Sequence, residues 1–257
     1  VFTQKPGIVG IDKIGLMIVG SACEFISLRN WQHELFPKKS GADKAEQNYL
    51  ASFGDAQIFG KKLCYNAVHN GQHFYSATVN SRGYLNVTFN PSKLKGKLTV
   101  ELADIVLLIE KDLREKELVN VNLNAAKVSR LDLASDSIMT YKFPYYNSLF
   151  EQAGAKRNVQ KNSIIYAEGF NRGSAKSGYQ LSVYDKGMKN EVDAGKKNVN
   201  HTNLMRVEAR LMKSKYCKKY GIISLNDINI DNIKRIYYKF INELLQFPEY
   251  NNIEITG

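Results

Sequence analysis

The chain has 257 residues, 44% hydrophobic and 24% charged, enough apolar material for a sizeable core, which excludes a disordered chain. Its longest apolar run, residues 14–19 with a small-residue continuation to Cys23, is far short of the roughly 20 residues that a membrane helix needs. The net charge is +11, and residues 156–219 hold fifteen Lys and Arg against five Asp and Glu, a local excess of +10. Such a stretch is the electrostatic footprint of a nucleic-acid binder, although a merely basic soluble surface has the same composition. Asp12 and Lys13 interrupt any secretion-signal pattern, so no membrane partner is expected. Cys23, Cys64 and Cys217 are odd in number and far apart, and they read as reduced thiols of a cytoplasmic protein.

Residues 13–19 form the first strand candidate. Residues 61–67, 73–79 and 84–89 follow as hairpin-like strands, with a turn at Asn80-Ser81-Arg82-Gly83. Residues 98–118 carry Leu102, Ile105, Val106, Ile109 and Leu113 at helical spacing. A strand over 127–134 comes next, then a loop-like stretch over 140–162. Further strands are expected at 163–167, 179–185 and 204–212, with a flexible connection over 186–203. An apolar stripe from Ile230 to Leu245 predicts a C-terminal helix. The order implies an α+β domain, mainly an antiparallel sheet with helices on one face.

Splitting each strand into its two faces brings out the chemistry. In KVSRLDLASD, Val128, Arg130 and Asp132 lie opposite Leu131 and Leu133. Asp136 joins the Asp132 face if the strand runs on through Ser135. In LMRVEARLM, Arg206, Glu208 and Arg210 lie opposite Val207, Ala209 and Leu211; in GYQLSVYDK, Gln180, Ser182, Tyr184 and Lys186 lie opposite Leu181 and Val183. Carboxylates from separate strands could hold Mg²⁺ or Mn²⁺ against a phosphodiester, with Tyr184 as a nucleophile and nearby cations on the phosphates. The same patterns also serve as cross-strand ion pairs and a packing tyrosine. His69 and His73 have no metal-ligand spacing, and Cys64 and Trp31 read as core or interface residues.

Four blocks carry a resemblance: NVTFNPSKLKGK (86–97), VSRLDLASD (128–136), LSVYDKGMKNEV (181–192) and NLMRVEARLMKSKYCKKYGI (203–222). In order, they resemble the replication initiators of filamentous phages, the gene II type, and more distantly those of plasmids and conjugative transposons. The resemblance implies a relaxase-like, palm-type nicking-endonuclease core over residues 1–230, with residues 231–257 as a helical segment packed on it. It implies a rolling-circle initiator that nicks one strand of a double-stranded origin through a tyrosine, leaving a 5′-phosphotyrosine adduct and a free 3′ hydroxyl, and later rejoins the strand. The nucleophile then falls on Tyr184, with Lys186 beside it. Asp132, Glu208, Asp136 and Asn86 become ligands of Mg²⁺ or Mn²⁺. Lys93, Arg130, Arg172, Lys176, Arg206, Arg210, Lys213 and Lys215 become DNA contacts. The implied partners are origin DNA and a bacterial host's helicase and polymerase; a homodimer is left open.

Two other readings start from the same residues. A non-catalytic nucleic-acid binder would present Tyr166, Tyr179 and Tyr184 for base stacking. A polymerase-like palm would use Asp132, Asp136 and Glu208 and need no nucleophilic tyrosine.

Overall fold

The structure is a computed structural model that describes residues 8–19, 23–24, 52–53, 56–59, 62–69, 72–80, 84–91, 101–115, 120–153, 169–174, 176–193 and 203–247. In chain order the strands are β1 (Gly10–Ile18), β2 (Cys23–Glu24), β3 (Ser52–Phe53), β4 (Ala56–Phe59), β5 (Lys62–His69), β6 (Gln72–Asn80), β7 (Leu85–Phe89), β8 (Asn120–Val121), β9 (Lys127–Ile138), β10 (Gly169–Ser174), β11 (Tyr179–Asp185) and β12 (Leu204–Leu211). The α-helices are α1 (Leu102–Glu115), α2 (Phe143–Gln152), α3 (Lys186–Asp193), α4 (Ser214–Lys219) and α5 (Ile230–Leu244). The chain forms two compact units, one mainly of Ile11–Leu131 with Lys213–Asn229, the other mainly of Asp132–Met212 with Ile230–Gly257. Both are α+β, with antiparallel strand pairing. The boundary expected at 230/231 falls at the start of α5, which belongs to the second unit.

In the first unit the strand order runs β1-β7-β6-β5-β4-β3, with the beginning of β9 on the far side of β1. Ile14, Leu16 and Ile18 of β1 pair with Phe89, Val87 and Leu85, which in turn face Tyr75, Ala77 and Val79 of β6. All these side chains are buried, and their partners on the opposite pleat, such as Asn86, Thr88 and Thr78, are half-buried. The alternation is the one expected of a sheet with one face in the core. Helix α1 covers that face with Ile105, Val106, Ile109 and Leu113. Its Asp112 accepts hydrogen bonds from Tyr65 Oη at 3.0 Å and Tyr75 Oη at 2.5 Å, so the buried phenols keep partners. Gly15 is required by close approach: a Cβ there would stand 2.8 Å from the Arg130 Cβ.

The second unit has the strand order β10-β11-β12-β9, and it is shaped by one apolar and one polar face. Leu181, Val183, Ala209 and Leu211 are buried on the apolar side. Helix α5 covers this side: Tyr237 Oη donates to the Val207 carbonyl at 3.2 Å, and Phe240 meets the Tyr179 ring edge-to-face at 6.4 Å between centroids.

Three local expectations change. The loop expected over 140–162 contains α2, because Pro144 falls at the first turn, where its missing N–H costs no hydrogen bond, and because Phe143 and Phe150 are buried. Phe150 stacks on Phe170 at 6.0 Å. The flexible connection expected over 186–203 begins with α3, because the Asp185 carboxylate caps it, accepting from Met188 N at 3.0 Å. Gly169 opens β10, a strand that was not among those expected. The expected strand at 163–167 lies outside the described residues, as do the turn at 81–83, Trp31, Lys93 and Tyr166. Among the described residues no helix is long and apolar enough to cross a membrane.

Candidate active site

The polar face of the second unit is set by strand register. Tyr184 pairs with Arg206, Ser182 with Glu208 and Gln180 with Arg210 across β11 and β12, while Asn171 of β10 pairs with Ser182. Paired residues share a face, so these side chains gather on one side, opposite α5. Gly169 stands opposite Tyr184, where an added Cβ would come 3.1 Å from the Tyr184 Cβ. A larger residue there would press directly on the tyrosine. At the other end of β10, Gly173 has φ +78°, and a Cβ would meet the Tyr179 carbonyl at 2.4 Å, so only glycine suits it.

Glu208 is the centre of the network and is 3% exposed. Its Oε1 accepts a hydrogen bond from Tyr184 Oη at 2.5 Å, with Arg206 Nη1 at 3.9 Å. Its Oε2 accepts from Arg210 Nε at 2.8 Å and from Arg210 Nη2. Arg210 Nη1 also donates to Gln180 Oε1 at 3.3 Å. Asp136, 4% exposed, is held by both sides of the Arg206 guanidinium at 2.6 and 2.9 Å, and by Lys186 Nζ at 2.6 Å. Gln180 Nε2 and Ser182 Oγ both donate to Asn171 Oδ1, at 3.1 and 2.6 Å. Lys189, from the second turn of α3, places its Nζ 4.8 Å from the centre of the Tyr184 ring.

Burial works against the charged forms of both carboxylates, but their cations outweigh it. Burial pushes Glu208 upward, whereas the Arg210 charge, the Tyr184 hydroxyl and Arg206 bring it below the ordinary glutamate range. Burial likewise pushes Asp136 upward, and hydrogen bonds and charge from Arg206 and Lys186 bring it below the aspartate range. Arg210 is raised: its own burial lowers it, and Glu208, Asp132 and Tyr184 more than compensate. Because the folded carboxylates hold protons less readily than the unfolded ones, their stabilisation is fully present above about pH 5 and is lost as pH falls through about 4 and below. Thermal unfolding scanned from neutral to acidic pH is therefore expected to show Tm declining in that window, with a smaller decline in Asp136→Asn. Equal declines in the two proteins would show that Asp136 contributes nothing to the acid response.

The expected site residues divide by position. Tyr184, Lys186, Asp136, Glu208, Arg206 and Arg210 form one connected network, and buried Asp132 joins it through its charge on Arg210. Asp136 reaches the strand face because β9 runs on to Ile138. Asn86 and Arg130 lie in the first unit; Asn86 stands opposite Met17 and Thr78 on β7. Lys176, Lys213 and Lys215 are exposed.

Arg172 does not reach the surface expected of a DNA contact. Its register opposite Leu181 turns it to the apolar side, where it is buried and donates to the carbonyls of Leu244 and Ala153. Arg206, 6% exposed, is likewise committed to Asp136, and Arg210 to Glu208, so their direct task is holding carboxylates. Tyr179 packs against Phe240 on the face opposite Tyr184, which removes it from any shared stacking surface. Asn171 and Lys189 are the participants that sequence reasoning missed. Period-two spacing back from Tyr184 reaches Ser182 and Gln180, but Asn171 sits on β10, which was not among the expected strands.

Of the expected ligands of Mg²⁺ or Mn²⁺, Asn86 lies in the first unit, and Asp132, Asp136 and Glu208 lie in the second. Every oxygen of Glu208 and Asp136 accepts from a guanidinium, an ammonium or a phenol, so a hard cation would have to share these oxygens with those donors or displace them. Among the described residues no group of three or more His, Cys, Asp and Glu stands close enough to hold one ion.

No family model matches the chain, and no curated protein matches it. Several solved structures are similar to it, two of which follow. The rolling circle replication initiator protein from Geobacillus stearothermophilus aligns with a TM-score of 0.48 at 11% identity, over 96% of this chain and 89% of that one. Methanococcus jannaschii TBP aligns with a TM-score of 0.36 at 13% identity, over 89% and 99%. Both scores lie below 0.5, so the functional reading rests on the residues and geometry of this chain.

Proposed function

We propose that this chain is a DNA strand-nicking and rejoining enzyme that starts rolling-circle replication, with Tyr184 as its nucleophile. The observation that carries the reading is the 2.5 Å hydrogen bond from Tyr184 Oη to Glu208 Oε1, a buried carboxylate whose other oxygen is held by Arg210. A tyrosine that merely packs needs no ionised acceptor fixed by a second residue; a nucleophile needs a base oriented in this way.

The chemistry follows from those contacts. Tyr184 Oη attacks the phosphorus of one DNA strand, and its proton passes to Glu208. The bond from phosphorus to the 3′ oxygen breaks, and the leaving oxygen takes a proton from water to give a free 3′ hydroxyl. The phosphate stays on the tyrosine as a 5′-phosphotyrosine ester. In rejoining, a 3′ hydroxyl attacks that ester and gives its proton back to water, and Glu208 returns its proton to the departing phenolate. Lys186 and Arg206 keep Asp136 neutralised beside the reacting phosphate, so the phosphate meets less buried negative charge. Exposed Lys176, Lys189, Lys213 and Lys215 serve the DNA backbone, in keeping with the local excess of positive charge. A supercoiled replication origin is the substrate, and a host helicase and polymerase extend the free 3′ end.

The test uses the supercoiled replicon that carries the gene for this chain, with Mg²⁺, with Mn²⁺ and with a chelator. Open circles and a protein-DNA adduct that survives denaturant are expected in at least one condition. Tight DNA binding with neither product in any condition would replace the enzyme reading with that of a non-catalytic binder.

A further inference from the structure

Where β9 ends, the chain leaves the network and forms a different kind of surface. Met139 N donates to the Asn203 carbonyl at 2.8 Å, which continues the pairing of β9 with the approach to β12. The Tyr146 hydroxyl then accepts from Thr140 N at 3.1 Å and Tyr141 N at 3.4 Å, pinning the turn into α2. The consequence is an aromatic pair held out in water. Tyr141 is 65% and Tyr145 69% exposed, and their rings meet edge-to-face with centroids 6.3 Å apart. Exposed Ile138 and Leu149 flank them.

The charge along this segment is one-sided. Lys142 is exposed next to Tyr141, and no Asp or Glu occurs between Asp136 and Glu151. Two exposed rings with an exposed cation next to them in the chain, in a segment without acids, complement a nucleotide, which offers a stacking base and a phosphate together. The position agrees. Ile138 lies two residues beyond Asp136 on the same strand, about 7 Å at the usual rise, and Asp136 is bound to the arginine that pairs with Tyr184.

We propose that Tyr141 and Tyr145 form a stacking ledge that holds unpaired nucleotides of the DNA strand beside the cleaved phosphate. The placement beside a cleaved phosphate rests on the nicking reading; the binding of unpaired bases does not. Both rings are exposed, so removing them leaves the core intact.

The experiment measures fluorescence anisotropy of a labelled oligothymidylate of about 12 nucleotides. It compares Tyr184→Phe protein with the same protein carrying Tyr141→Ala and Tyr145→Ala, so that no covalent adduct contributes. The alanine pair is expected to weaken single-strand binding about tenfold per lost ring, with duplex binding and Tm little changed, whereas Tyr141→Phe with Tyr145→Phe stays within about twofold. An unchanged Kd for the folded alanine pair would overturn the ledge. If that variant instead changed the sedimentation mass at unchanged Kd, the patch would be a protein contact. Loss of single-strand binding in the alanine pair, where protein with Tyr184 intact never nicks, would keep the ledge and remove the nicking reading. Nicking by protein with Tyr184 intact, together with an unchanged Kd in the alanine pair, would do the reverse.

Discussion

Tyr184→Phe is expected to abolish the covalent protein-DNA adduct and to bring nicking down to background. The substitution removes one oxygen, the atom that would form the phosphate ester, and keeps the ring between Gly169 and Lys189. The fold should survive. Loss of a hydrogen bond to a charged acceptor costs about 1.5–3 kcal/mol, and the lower end applies because Glu208 keeps Arg210 and Arg206. DNA binding should change little, because the exposed lysines are untouched. The control is Tyr179→Phe, on the opposite face against Phe240, which should retain the adduct. An adduct that persists in Tyr184→Phe would move the nucleophile elsewhere, with Tyr166 the next candidate.

Glu208→Gln is expected to lower nicking by about 10²–10⁴-fold, the usual range for a lost general base. Glutamine keeps the size of the side chain and can still accept from Tyr184, but it cannot take the proton. It also leaves Arg210 and Arg206 facing a neutral group. Breaking a buried pair costs about 3–5 kcal/mol, and about 3 is expected here because Arg210 is only half-buried. The two effects separate cleanly. Single-turnover nicking below the Tm of the variant reports the chemistry, and thermal unfolding reports the ion pair. A variant that loses stability but nicks at the wild-type rate would leave Glu208 a structural residue only, and would favour the cross-strand ion-pair reading of the Arg-x-Glu-x-Arg strand.

That ion-pair reading and the catalytic one began as alternatives, and the geometry joins them. Arg206, Glu208 and Arg210 do pair across one strand face, yet the glutamate keeps one oxygen on Tyr184. A charge pattern read along one strand gives the shared face but not the partners. Those depend on which strand lies next to it and in what register.

The apolar face of α1, the apolar stripe of α5 and the two-faced character of β7, β9, β11 and β12 were legible in the residues, because periods of 3.6 and 2 are local properties of the chain. The same periodicity named Tyr184, Lys186, Asp132, Glu208, Arg206 and Arg210 as one group. Register between strands, which no local pattern contains, decided the rest. It set Asn171 beside Ser182 and turned Arg172 inward to the carbonyls of Ala153 and Leu244. It also gave Asp136 to Arg206 and Lys186. Helices α2 and α3 escaped sequence reading for a related reason: Phe150 is buried against Phe170 of another strand, and α3 depends on a cap from Asp185, so tertiary contact and capping outweighed weak helical propensity. The residue types of the candidate site were thus a property of the sequence, and their pairing was a property of the fold.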